Sequence, residues 1–428
     1  RAGMAGMSAA TVVVPSVGTI SRRSLALAAF YFVLAAVMVL AFGSGIEAGA
    51  ETSFGLNLGS APAVELPDLV VPSGPTIYLL AGVLAFCGTL QLSRVVGSKW
   101  ALLLAIVIIG FVFGFLTWAA AGKSMSLVGI FQTTVYRAIP ITFGALSGVL
   151  CERAGVVNIA IEGMLLSGAF TAAVVASITG NNWIGTIAAV LVGGLLAAVL
   201  AVLSIRYRVN QIIAGTVINI FAAGITAFVS TRVLSQDKAL NVPPRFAPIE
   251  VPVLSDVPIL GPVFFSGNFF SYALFALVLI IHFALFYTRY GLRVRSVGEH
   301  PRAADTVGIR VQFTRYRNVI LGGLVAGLGG AYFTVGATGA FERDMTAGRG
   351  FIGLAAMIFG GWNPIGAFLA GLVFGFADAL QSRLSILGSP VPSEFLLMVP
   401  YITTIVVVAG LVGRVRMPAA DGTPYVKE

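Results

Sequence analysis

The sequence predicts an all-α fold, a polytopic transmembrane helical bundle of about 10–12 spans, and three observations carry that prediction. Hydrophobic residues make up 58% of the 428-residue chain and charged residues 10%, where soluble domains are about a quarter charged. Apolar stretches of the ~20 residues needed to cross a hydrocarbon core recur along its length. Arginine and lysine collect in alternate connections, the asymmetry that orients membrane helices. A mean hydropathy of +0.97 leaves too little polar surface for a soluble enzyme. The net charge of +9 is therefore read as arginine retained on the cytoplasmic side and not as a nucleic-acid surface.

The chain opens at Arg1, with Met4 and Met7 close behind, so its translational start is expected before Arg1 or among these residues. Residues 1–23 are read as a cytoplasmic tail. The first apolar stretch, 24–42, is too long for a signal-peptide core of ~7–15 residues and is read as a retained helix. The connection 43–76 carries Glu47, Glu51, Glu65 and Asp68 without one Lys or Arg, together with Pro62, Pro67, Pro72 and Pro75. It reads as an external linker, so that 24–76 holds the first helix and its linker. Additional helices are predicted at 77–95 and 100–120, within a 77–125 segment. A core from 126 to 413 follows, with spans at 126–150, 156–178, 183–205, 211–233, 270–288, 318–338, 365–384 and 395–413. The apolar stretch 350–361 is short for a crossing and suits a half-helix or re-entrant element.

Arg22 with Arg23, Arg94 with Lys99, Arg153, Arg206 with Arg208, and seven arginines from Arg289 to Arg317 mark cytoplasmic connections. The Pro-rich stretch 234–268 then faces outward. Arg414 and Arg416 put the tail 414–428 inside, so both termini are cytoplasmic, which needs an even number of crossings and favours 350–361 as a short span. Glycine pairs such as Gly193-Gly194, Gly322-Gly323 and Gly329-Gly330 are read as close helix contacts.

Chemistry on this chain is not expected. Gly122-Lys123-Ser124 imitates the end of a phosphate-binding loop, but Thr117 stands where that loop needs a glycine. Only His282 and His300 exist, too few for a His-based zinc site or a Ser-His-Asp triad. Cys87 and Cys151 make neither a disulfide framework nor a metal pair.

Polar residues inside predicted spans are more informative. Asn158 and Glu162 stand four apart and share a helix face. An ionisable group within a span lines a pathway or is held by protein partners, so Glu162 is read either as a path residue or as a carboxylate clasping backbone amides, a neighbouring helix or Arg153. Gln211, Gly215, Asn219, Thr226 and Ser230 form a stripe that suits either a solute path or interhelical hydrogen bonding. Gln132, Thr133, Tyr136 and Arg137 make a polar patch ahead of Pro140, read as an outer vestibule or an interfacial helix. In the basic segment 290–317, Pro301 can open a helix and Gly308 end it, so 301–307 is predicted as a short helix beneath the membrane.

Three stretches, RAGVVNIAIEGMLLSGAF from Arg153 to Phe170, GLRVRSVGEHPRAADTVGI from Gly291 to Ile309 and GFIGLAAMIFGGWNPIGAFLAG from Gly350 to Gly371, resemble the permease subunit of bacterial ABC importers of the branched-chain amino acid, ribose and nucleoside class. The form ERxGVVNIxIEGM is closest to the simple-sugar and nucleoside permeases. The likeness covers about 126–413 and implies a transmembrane subunit for nucleosides or simple sugars in the bacterial inner membrane. It implies a separate ATP-binding subunit that holds ATP and Mg, a second permease subunit and an extracytoplasmic solute-binding protein. By the same likeness Glu299, Pro301, Ala303, Ala304, Gly308 and Ile309 of the coupling segment 291–309 meet the ATPase. Asn158, Glu162, Gln211, Thr216 and Asn219 are the candidates for the substrate path. A weak inverted repeat is also implied, with Gly155 to Phe170 and Gly350 to Phe368 as its halves. The rival reading is an ion-coupled secondary transporter in which Glu162 and Asp378 bind the driving ion. A membrane-bound enzyme or scaffold, or a channel, fits the residue inventory less well.

Overall fold

The computed structural model describes residues 21–58, 65–93, 100–388, 395, 398 and 416–427. They fall into two compact units, Arg1–Phe54 with Leu69–Met125, and Gly55–Asp68 with Ser126–Glu428.

The first unit holds α1 (Arg22–Val37), which runs on as a π-helical turn to Phe42, then α2 (Ser73–Leu92) and α3 (Trp100–Ala119). Ser21 caps α1 by accepting from the Ser24 amide. The three helices close on Tyr31, Met38, Phe42, Ile77, Leu84 and Val107, and Phe42 stacks on Trp118 at 4.9 Å between ring centroids. The stretch read as a linker has more structure than its prolines imply. Strand β1 (Glu51–Gly55) pairs antiparallel with β2 (Leu69–Pro72), and β3 (Ser124–Ser126) lies on its other side. Thr52 and Phe54 alternate inward, and the Thr52 hydroxyl, 2.9 Å from the Thr117 carbonyl, ties the strand to the end of α3.

The second unit runs through α4 (Leu127–Glu152), α5 (Ile161–Thr179), α6 (Asn182–Ala201), α7 (Gln211–Val229), the short α8 (Leu260–Phe264), α9 (Phe269–Tyr287), α10 (Arg289–Glu299), α11 (Pro301–Thr306), α12 (Val311–Ala331), α13 (Arg349–Phe359) and α14 (Pro364–Ile386). The helices α6, α7 and α12 each continue as a π-helical turn, to Arg206, Leu234 and Thr338. Asn181, Asn210, Asn268 and Asn363 cap α6, α7, α9 and α14 through their side-chain oxygens, satisfying amides that helix geometry leaves unpaired. Ten helices among the described residues are long and apolar enough to cross a membrane, and the chain is a multi-pass membrane protein. The span expected at 395–413 lies outside the described residues apart from Phe395 and Met398.

Two helices form the centre. The apolar window of α4 is 89% buried and that of the α12 span 72%, against 28% for α7. Glycines permit this crowding. Gly322 lies on Ser147 and Cys151, and Gly329 on Phe143, which sets α12 antiparallel to α4. A Cβ placed on Gly193 of α6 would come 2.4 Å from the Gly323 carbonyl oxygen of α12, so the two backbones touch there, as small residues allow in lipid.

Two predicted spans change shape. The one placed at 156–178 becomes helical only at Ile161, and the one at 318–338 already begins at Val311. The short stretch at 350–361 is α13, an 11-residue helix that ends at a Gly360-Gly361 turn into α14. The two halves proposed for the repeat are not equivalent, because Gly155 sits in an unwound stretch and Gly350 in the first turn of α13. What recurs is a long helix, an unwound stretch and a following helix, once as α4 to α5 and once as α12 to α13.

Replacing Gly193 by Ala should lower the thermal unfolding temperature in detergent, because overpacking against fixed backbone costs about 1–3 kcal/mol. The same change at Gly224, which has open space around its Cα, should leave the transition unchanged or raise it slightly. Equal behaviour of the two variants would show that the α6–α12 approach is not tight.

Candidate functional site

Helix α4 stops at Glu152, and the chain stays unwound until Ile161. Unwound backbone inside a bundle must find its hydrogen-bond partners on other elements. Here α7 and Asn158 supply them. Gln211 Oε1 accepts from the Val157 amide at 2.7 Å. Asn219 donates from Nδ2 to the Ile159 carbonyl at 2.8 Å and accepts on Oδ1 from the Gly163 amide at 2.8 Å. Asn158 is fully buried, accepts from the Ala160 amide at 3.1 Å, and points Nδ2 at Ser147 Oγ and Cys151 Sγ, both 3.4 Å away. The stripe on α7 thus joins helices. Thr226 bonds only to carbonyls of its own helix. Thr216 is exposed and donates to the Ile212 carbonyl, because five residues past Gln211 a helix has turned about 140° away.

Glu162 reaches from α5 to the second unwound stretch, between Thr338 and Arg349. Its Oε1 accepts from the Thr346 hydroxyl at 2.6 Å and the Gly348 amide at 2.9 Å, and its Oε2 from the Gly350 amide at 2.6 Å. Gly348 precedes α13 at a φ of +77° and brings no capping side chain, so a carboxylate from another helix caps α13, where negative charge suits the helix dipole. Helix α13 runs alongside the last turns of α4, with Gly350 and Gly353 against Gly144 and Met357 against Gly148. At 1.5 Å rise per residue, that puts the cap about 12 Å in from the end of α4.

The far end of α13 is held separately. Trp362 Nε1 donates to Glu152 at 2.7 Å, while Arg153 donates to the carbonyls of Trp362 at 2.9 Å and Gly361 at 3.1 Å. Arg153 therefore serves this turn and not Glu162. Asp378 of α14 pairs with Arg349 at 3.1 Å and Arg137 at 3.7 Å. Toward the other end of α4, Gln132 donates to the Pro262 carbonyl and the Tyr136 hydroxyl to that of Ser266. Tyr136 also lines a cleft of about 730 Å³ with Arg245, Phe246, Asn268, Tyr332 and Ala337, within the range of small-molecule sites.

In the coupling segment α11 opens at Pro301, and His300 Nδ1 accepts from the Ala303 amide at 3.2 Å. Gly308, at a φ of +83°, turns the chain toward α12. Ala304 is 3% exposed and packs with Val297, Val311 and Tyr425, with Ile309 beside them. Ala304 is thus turned toward this chain, while Ile309 is half-buried. Arg302, Ala303, Thr306, Val307 and Gly308 are exposed, and Glu299 accepts from the Ala419 amide at 3.3 Å. Of the eleven residues singled out from sequence, Asn158, Glu162, Gln211 and Asn219 come together. Sequence reasoning missed Thr346, Arg349 and Trp362, whose only signal was their place just before or within the Gly-rich stretch Gly350 to Gly371.

A family described as the permease component of branched-chain amino acid transport systems matches residues 129–408. The chain is 40% identical over 311 residues to the guanosine ABC transporter permease protein NupQ of Bacillus subtilis, covering 70% of this chain and 96% of that one. It is 38% identical over 320 residues to the nucleoside ABC transporter permease protein NupC of Lactococcus lactis, covering 71% and 99%. A putative glucose ABC transporter permease protein of Haloferax volcanii, TsgC13, is 35% identical over 60% of this chain and 77% of its own length. No solved structure matches.

Glu162→Ala should strand the Thr346, Gly348 and Gly350 donors, at about 1–3 kcal/mol for a buried donor left without a partner. Glu162→Gln, which keeps one acceptor oxygen, should lose less stability. Amide hydrogen exchange at residues 348–350 should rise in the Ala variant. Unchanged exchange there would mean the carboxylate does not hold α13.

Proposed function

The chain belongs to the permease family of branched-chain amino acid transport systems, and we propose that it forms the solute path of an ATP-driven importer for nucleosides. It is a transport subunit and not an enzyme. The observation that carries the reading is the clasp of two helix breaks upon each other by Glu162. Broken helices meeting within a bundle are where transporters bind solute and change access, and a link made of hydrogen bonds can be exchanged without unpacking a large apolar face. In this reading ATP and Mg sit on a separate ATP-binding subunit that docks at α10–α11. Its closure moves those helices, and the breaks at 153–160 and 339–348 switch the path between outward and inward access. A second permease subunit lines the other half of the path, and an extracytoplasmic solute-binding protein delivers the solute. In this reading α10–α11 and both termini lie on the cytoplasmic side of the bacterial inner membrane, which the arginines of those connections support.

The nucleoside assignment draws on the names of the 40% and 38% identical relatives. A sugar is the second reading, favoured by the 35% identical glucose relative. An ion-coupled mechanism asks Glu162 and Asp378 to receive a proton or sodium ion, yet both oxygens of Glu162 already accept hydrogen bonds and Asp378 sits between two arginines.

Proteoliposomes holding the assembled transporter should take up labelled guanosine when ATP is supplied with the binding protein. Excess unlabelled nucleoside should compete and excess glucose should not. A variant ATP-binding subunit that cannot hydrolyse ATP should abolish uptake, and uptake that persists under an ion gradient alone would overturn the ATP-driven reading.

A further inference from the structure

The stretch 416–427 contains neither helix nor strand, yet it is seated on two sides. Toward α10–α11, the Ala420 amide donates to the Gly298 carbonyl at 2.9 Å and the Ala419 amide to Glu299 at 3.3 Å. Tyr425, 9% exposed, closes the apolar cluster of Val297, Ala304 and Val311, and Lys427 Nζ lies 3.9 Å from Asp305. Toward the membrane core, buried Arg315 of α12 donates to the Thr423 carbonyl at 2.8 Å. The Asp421 carboxyl faces that of Glu152 at the end of α4, and burial pushes it above its ordinary range. The Ala420 carbonyl comes so close to Gly155, in the first break, that a Cβ there would lie 3.1 Å from its oxygen, and Gly422 lies against Val157.

On the outside, α11 and this stretch form the two walls of a groove of about 300 Å³, lined by Glu299, Pro301, Arg302, Thr423, Tyr425 and Val426. Val426 is 45% exposed, Met417 55% and Val307 74%. None of the three belongs to a candidate membrane span among the described residues, and Val426 lines the groove itself, where an exposed apolar side chain suits a protein contact.

We propose that residues 416–427 complete the docking surface for the ATP-binding subunit, as the second wall of that groove, and carry movement of α11 to the helix break at 153–160. The proposal rests on the ATP-driven reading above. It assigns the outward side chains of the stretch to the partner and the inward ones to transmission.

The test co-expresses the whole transporter and purifies it through a tag on this chain. Val426→Asp and Met417→Asp alter exposed side chains, so the chain itself should elute as wild type while recovery of the ATP-binding subunit falls at least about tenfold. Asp421→Ala should retain the ATP-binding subunit and its ATP hydrolysis but lose nucleoside uptake, a separation that a purely structural role would not produce. Undiminished recovery and uptake with both aspartate variants would overturn the docking role, and normal uptake by Asp421→Ala would overturn transmission. If wild type brings down no ATP-binding subunit, the ATP-driven reading falls first and this inference with it.

Discussion

Backbone polar groups inside a membrane bundle have no water to turn to, and that constraint organises the second unit. Most helices meet it internally. The two breaks do not, and each borrows its partners from elsewhere in the fold. Asn219 and Gln211 of α7 pair with the first break. Glu162, the first-turn acid of α5, pairs with the second. Because an unsatisfied buried amide costs about 1–3 kcal/mol, neither break can wander far from its partner without finding another. Helix α13 is therefore fixed at its start by a carboxylate and by the pairing of its first residue, Arg349, with Asp378, and at its end by Trp362, Glu152 and Arg153.

Between those clasps α13 meets α4 through glycine, at Gly144, Gly148, Gly350 and Gly353. Glycine contacts bring backbones close but give few side-chain contacts to break. In lipid, where helices gain no hydrophobic advantage from each other, such interfaces depend on fit and on hydrogen bonds. The Glu162 clasp positions the start of α13 together with the Arg349–Asp378 pair, and its hydrogen bonds can be exchanged without unpacking an apolar face. Helices α6 and α12 meet through glycine in the same way, with Gly193, Gly323 and Gly327 lying against facing backbone.

The spans were legible because a window of ~20 residues averages over local detail, and composition alone decides whether such a window tolerates lipid. The breaks were not. Residues 156–161 read Val-Val-Asn-Ile-Ala-Ile, apolar enough to continue a helix, and what unwinds them is the company of Gln211 and Asn219, more than fifty residues away in sequence. For Glu162 the sequence left two readings open, and the clasp on backbone amides is the geometry found. Thr216 was grouped with Gln211 and Asn219 by polarity, although helical geometry turns it to the exposed face. Ala304 was assigned outward by likeness to a motif, whereas a six-residue helix has one side to bury and Ala304 lies on it. The strands β1 and β2 hid behind prolines, because alternation over five residues is too brief to outweigh the turn signals around it.

The route from the cytoplasmic side to the clasp is short when followed residue by residue. Helix α11 buries Ala304 against Tyr425, and Arg315 holds the neighbouring Thr423 carbonyl. Ala420 and Gly422 touch the break at Gly155 and Val157. The amide of Val157 is held by Gln211, and the same unwound chain leads within a few residues to Glu162 and so to α13. Packed contacts alone do not make a route for coupling; an element with two arrangements is also needed. The breaks meet that requirement, because their hydrogen bonds go to side chains rather than to a helical ladder. On the proposed function, a shift of α11 reaches Gly155 through residues 420–425 and reaches α12 directly through Val311 and Arg315.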